Sequence, residues 1–186
     1  IAAINHLSNS MNSNTERQYS DTITNTNLSF PSFSLMNLKI LLCPKQGITN
    51  IKGLSVLKNL ETLDLCWNQI DDIKELELLK NLKSLYLMNN KLSRIEGISE
   101  LKRLEILDMS LNQIVQIEEL SELNNLESLN LDFNRIGKIE GLLMLSNLKL
   151  LNLSRNTILN IGGLLRLITL KSLDLEHNKI TRIDNL

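Results

Sequence analysis

Leucines stand at Leu38, Leu60, Leu82, Leu104, Leu126, Leu148 and Leu170, each 22 residues after the one before, with no insertion between them. So strict a period constrains the fold more than any other property of the chain. A 22-residue unit cannot bury an apolar face by itself, so each unit needs a neighbouring copy to form a core. Six full copies and a truncated seventh fill residues 38–186.

With the leading leucine as position 1, positions 4 and 6 are apolar, and this period-2 alternation predicts a short strand with those side chains turned inward. In the copy beginning at Leu126 the inward pair is Leu129 and Leu131, while Ser128, Asn130 and Asp132 point outward. Apolar residues then recur at positions 11, 14, 17 and 20, here Ile136, Ile139, Leu142 and Leu145. A spacing of three suits a tight 3₁₀ return better than a long α-helix. Gly53, Gly97, Gly141 and Gly163 share position 16, where a bend is expected. The expected architecture is an α/β solenoid, right-handed as strand-crossover-strand units are. Its parallel sheet lies on the concave face and its short helical returns lie on the convex face.

Asparagine occupies position 9 in every copy after the first: Asn68, Asn90, Asn112, Asn134, Asn156 and Asn178, with Gln46 in the first. A carboxamide both donates and accepts, so a buried column of them can bond backbone groups where each strand turns away. This column is read as structure, not chemistry.

Residues 1–27 are rich in Asn, Ser and Thr and poor in apolar side chains, which predicts a disordered polar tail. Residues 28–37, with Pro31 and two phenylalanines, are expected to cap the first coil. The chain begins with Ile1 and reads as a fragment or a processed form, and its first residues have neither the basic start nor the apolar run of a secretory leader. With 20 basic and 21 acidic residues, nothing suggests a nucleic-acid footprint. No apolar run approaches the length of a membrane span. Cys43 and Cys66 fall at different repeat positions and read as two reduced thiols of an intracellular protein.

The 22-residue spacing, the L-x-L-x-x-N-x-I-x-x-I core and the echoes RIEGI (94–98), QIEEL (116–120) and KIEGL (138–142) resemble one subclass of leucine-rich repeat proteins. That subclass is typified by a nuclear regulatory subunit of protein phosphatase 1. The resemblance covers Leu38 to Leu186, and similar repeats occur in axonemal, spliceosomal, cytoskeletal and bacterial adhesion proteins. It implies a non-catalytic scaffold that binds a partner on its concave face, plausibly the phosphatase catalytic subunit, in the nucleus or cytoplasm. An axonemal or cytoskeletal structural protein and an extracellular adhesion array are the alternatives.

Outward strand positions are expected to be free of packing constraints and so to report on binding. Position 5 carries Asp64, Tyr86, Asp108, Asn130, Asn152 and Asp174; position 7 includes Met88, Asp132 and Glu176; position 8 includes Trp67, Phe133 and Arg155. The face reads as acidic with aromatic islands and Arg155 as its one cation, which suggests a basic partner surface anchored on Trp67, Tyr86 and Phe133. On the return side, Leu143, Met144, Leu165 and Ile168 replace residues that are mostly polar in other copies. No metal-ligand cluster, nucleophile constellation or phosphate loop is present, so no metal, cofactor or catalytic residue is expected.

Overall fold

The structure, a computed structural model, describes residues 35–183. The expected polar tail, residues 28–34 of the expected cap and the last three residues lie outside the described residues.

Strands β1 (Ile40–Leu42), β2 (Thr62–Asp64), β3 (Ser84–Tyr86), β4 (Ile106–Asp108), β5 (Ser128–Asn130), β6 (Leu150–Asn152) and β7 (Ser172–Asp174) form one sheet in chain order. All pairs are parallel, and the register advances by one repeat each time, so that Leu41 faces Leu63, Leu63 faces Leu85, and so on to Leu173. Pairing continues past each short strand: Leu87 N–H donates to Asp108 O at 2.7 Å and Asn89 N–H to Ser110 O at 2.9 Å. The molecule is a leucine-rich repeat solenoid.

The seven apolar positions of each unit converge inside its coil. In the second coil Leu60, Leu63, Leu65, Ile70, Ile73, Leu76 and Leu79 are at most 2% exposed. Each such side chain contributes roughly 1.5–3 kcal/mol by leaving water. Inner coils are sealed by neighbours on both sides, whereas Leu173 at the last strand is 37% exposed.

The returns follow the spacing of three only in part. Residues Leu54–Val56 and Lys74–Leu78 form 3₁₀ helices. Later returns keep isolated i to i+3 bonds, such as Leu101 N–H to Ile98 O and Leu104 N–H to Leu101 O, both 2.9 Å. Position 16 accounts for part of the difference, since even after the left-handed Gly53, at φ 87°, the helix is only the three residues Leu54–Val56. Gly141 and Gly163 sit at φ +74° and +101°, where a Cβ would lie 2.7 Å from Ile117 O and 2.1 Å from Ile139 O. These left-handed glycines interrupt the helix and let adjacent returns approach closely. In the second coil Glu75 stands at that position inside the longest 3₁₀ run.

Each position-9 asparagine stitches two coils together. Asn112 accepts the Leu92 N–H at 3.0 Å and donates to Leu87 O at 2.9 Å and to Met109 O and Ser110 O at 3.1 Å. Asn90 and Asn134 repeat the pattern on either side, so the Leu87 and Met109 carbonyls each receive two asparagines. A second column, not anticipated from the sequence, runs at position 22. There Asn59, Asn81, Asn125 and Asn147 each donate to a carbonyl of the preceding coil at 2.7–2.9 Å, and Thr169 does the same through its hydroxyl.

Candidate partner-binding face

The register places Asp64, Tyr86 and Asp108 side by side on β2, β3 and β4, with Asn130, Asn152 and Asp174 continuing the row. All six are half-buried on the outer side of the sheet. These residues are not free of structural duty, contrary to the expectation from the sequence. The Asp64, Asp108, Asn130, Asn152 and Asp174 side chains each accept the backbone N–H two residues on, at 2.9–3.1 Å. This is the local bond for which Asp and Asn are suited. The acidic character of the row is therefore partly a backbone requirement. Tyr86 cannot make that bond and is the residue most available for another role.

Position 7 is divided. Met88 and Asp132 are half-buried and Glu176 is exposed, whereas Ser110 and Ser154 are buried and their hydroxyls bond Asp108 and Asp132 at 2.6 Å.

Position 8 holds the largest departure from the sequence reading. Lys45, Trp67, Asn89, Leu111, Phe133, Arg155 and His177 all have φ between 50° and 59°. The left-handed conformation follows from the turn away from the sheet, which begins as soon as the position-8 N–H has paired. For a bulky residue this conformation costs roughly 1–2 kcal/mol. Trp67 and Phe133 nonetheless occupy it, 46% and 54% exposed. Neither side chain belongs to the buried core, and all seven residues of the row share the same backbone conformation.

The charge on this face is also redistributed. Arg155 grips Asp132 of the preceding coil with two bonds of 2.9 Å, so the two neutralise each other. Burial alone would raise the Asp132 carboxyl, but bonds from Arg155 and Ser154 and the nearby guanidinium hold it below the ordinary range. Nor is Arg155 the row's one cation, since Lys45 shares it and lies 5.4 Å from the centre of the Trp67 ring. No described basic side chain is ion-paired with Asp64 or Asp108. Asp64, Asp108 and Asp174 of the row thus stand without an ion pair among the described residues, with Tyr86 between the first two. Burial pushes the Tyr86 phenol above its usual value, with Asp64 and Asp108 adding to the effect. Both cysteines are free, and burial raises both thiols, Cys43 to about 11.

Among the described residues, no three His, Cys, Asp or Glu side chains converge as metal ligands, and no helix is long and apolar enough to cross a membrane. On the return side, Leu143, Met144, Leu165 and Ile168 are all at least half exposed.

A stack of parallel strands and short returns repeating every 22 residues is the architecture of leucine-rich repeats. Comparisons with known proteins agree. A family model described as leucine-rich repeats in two copies matches residues 80–122, and a single-repeat model matches 56–73, 122–139 and 166–182. The chain belongs to the leucine-rich repeat family. No curated protein sequence matches it. Among solved structures it is similar to internalin C2 of Listeria monocytogenes, at 34% identity and TM-score 0.75 over 78% of this chain and 65% of that one. An internalin F structure from the same organism aligns at 34% identity and TM-score 0.65, over 68% of this chain and 38% of that one. A leucine-rich repeat protein of Leptospira interrogans aligns at 32% identity and TM-score 0.75, over 78% and 39%. The chain thus spans less than two thirds of the length of each.

Proposed function

We propose that this chain is a non-catalytic protein-binding scaffold that holds a basic partner surface against the outer face of its sheet. The leucine-rich repeat fold supports the general role. The single observation that carries the specific reading is the row Asp64, Tyr86 and Asp108, which combines unneutralised carboxylates with a half-buried aromatic ring and is flanked by the strained aromatics Trp67 and Phe133. Buried aromatics with complementary charge are the usual anchors of an interface. The resemblance of the repeats points to the phosphatase 1 catalytic subunit as the partner, inside the cell. A pull-down with that subunit tests this reading, with Asp108→Lys and Tyr86→Ala in parallel. Capture lost in both variants supports it, and no capture by the parent chain rejects the phosphatase.

A second reading is an extracellular adhesion array, since similar repeats occur in bacterial adhesion proteins and this chain is 32–34% identical to three bacterial proteins of its fold. Surface biotinylation of producing cells separates the two: labelling of the intact protein supports adhesion, and labelling only after lysis supports the scaffold inside the cell.

A further inference from the structure

The starts of the first strands form a different surface from the acidic sheet face. An open groove of about 450 Å³ lies there, lined by Lys39, Lys83 and Arg103, the amides of Asn59 and Asn81, and one carboxylate, Glu61. The sequence places Lys58, Lys80 and Lys102 immediately before Asn59, Asn81 and Arg103; Lys80 is paired with Glu100 at 3.1 Å, while no ion pair within 4 Å engages Lys58 or Lys102 among the described residues. Three cations against one carboxylate leave the lining with an excess of positive charge. The Asn59 and Asn81 amides are held in place by the second asparagine column, at 2.7 and 2.9 Å from Met36 O and Lys58 O, and Arg103 donates to the Asn81 side-chain oxygen at 3.0 Å.

The groove already shows how it holds a carboxylate. Glu61 is bracketed by Lys39 and Lys83, each at 2.8 Å, and these two bonds hold its carboxyl down at about 2. We infer that this groove is a docking site for an acidic peptide segment, whose carboxylates pair with Lys83, Arg103 and the neighbouring lysines as Glu61 pairs with Lys39 and Lys83. The occupant is short, because the next residue in the Lys39, Glu61, Lys83 column is Glu105, which repels an anion at the fourth coil. A peptide fits better than a nucleic acid: Asp64 lies three residues beyond Glu61 and Asp108 five beyond Arg103, so a polyanion crossing the sheet meets like charge. The site is separate from the sheet face and does not depend on what that face binds.

Fluorescence anisotropy of a labelled nonapeptide of alternating glutamate and serine tests the inference on the whole chain. Binding is expected at 50 mM salt, weakening at least fivefold by 300 mM. Arg103→Glu combined with Lys102→Glu is expected to weaken it tenfold or more, with an unchanged circular dichroism melt showing that the fold is intact. Asp108→Lys, which disables the proposed sheet-face site, is expected to leave peptide binding in place, so the two proposals fail separately. Absence of binding, or equal affinity in the double variant, overturns the inference. Tighter binding of a twelve-nucleotide oligothymidylate than of the peptide overturns it in favour of a nucleic-acid site.

Discussion

Replacing Asn112 tests whether the buried amide column stabilises the stack through one group or several. In the native coil its side chain serves four backbone groups: the Leu92 N–H and the carbonyls of Leu87, Met109 and Ser110. Three of these have other partners. Leu87 O also receives Asn90, Met109 O receives Asn134, and Ser110 O receives the Asn89 N–H. Only the Leu92 N–H is left unpaired in Asn112→Ala, so the expected loss is that of one buried donor, roughly 1–3 kcal/mol. That corresponds to a fall in Tm of about 2–12 °C for a chain of this size. Asn112→Asp reverses the problem. It still accepts from Leu92, but at neutral pH it turns a charged oxygen toward three carbonyls, at a cost of about 3 kcal/mol or more. Its folded pKa is then raised above the unfolded value. Protonation restores a donor, so stability is fullest below the unfolded carboxyl pKa and falls as pH rises through the folded one. Urea unfolding of both variants at pH 7 and pH 4.5, followed by circular dichroism, measures the difference. An aspartate variant as stable as the alanine variant at pH 7, or one insensitive to pH, refutes the account.

Gly141→Ala is expected to destabilise by at least about 1 kcal/mol, because a Cβ at φ +74° meets Ile117 O at 2.7 Å. Glu119 occupies the same repeat position at φ 57°, with its carboxylate bonded to the exposed Gly97 N–H, so Glu119→Gly is expected to leave the melting temperature level or higher. For Glu61 the folded pKa is depressed, so its contribution is present above the unfolded carboxyl value and lost as pH falls toward about 2. Carbon-detected NMR titration should show this, and Lys83→Met should bring the midpoint back up. Burial keeps both thiols protonated, so reaction with Ellman's reagent at pH 8 should be slow until denaturant is added, whereas rapid labelling of native protein contradicts the burial of Cys43.

The architecture was legible because it depends on period alone. Leucine spacing specifies which side chains face inward, and a parallel stack follows once every unit needs the same neighbour. The position-9 asparagines were legible for the same reason. What the period concealed was the backbone at the strand ends. Seven different residue types fill the left-handed position 8, so composition gives no hint of it, and only the residue-by-residue dihedrals reveal the strain on Trp67 and Phe133. Asp and Asn at position 5 suggest charge and polarity on the outer face, yet their tendency to bond the backbone two residues on is equally visible in their identity. The Arg155 to Asp132 pair spans 23 residues, one repeat and one step. It emerges only when adjacent copies are aligned as spatial neighbours. Asparagine fills position 22 less regularly than position 9, with Arg103 and Thr169 in its place, and, standing next to the leading leucine, these asparagines resemble ordinary surface.

Strict neighbour-to-neighbour pairing has a mechanical corollary. Force applied to the two ends acts in shear on no long interface, since each coil is held only by the coils beside it. The array should therefore lengthen in uniform increments, each releasing 22 residues or about 70 Å of contour. Inner coils resist until one flank has peeled away, which makes the solenoid a spring that yields from its ends.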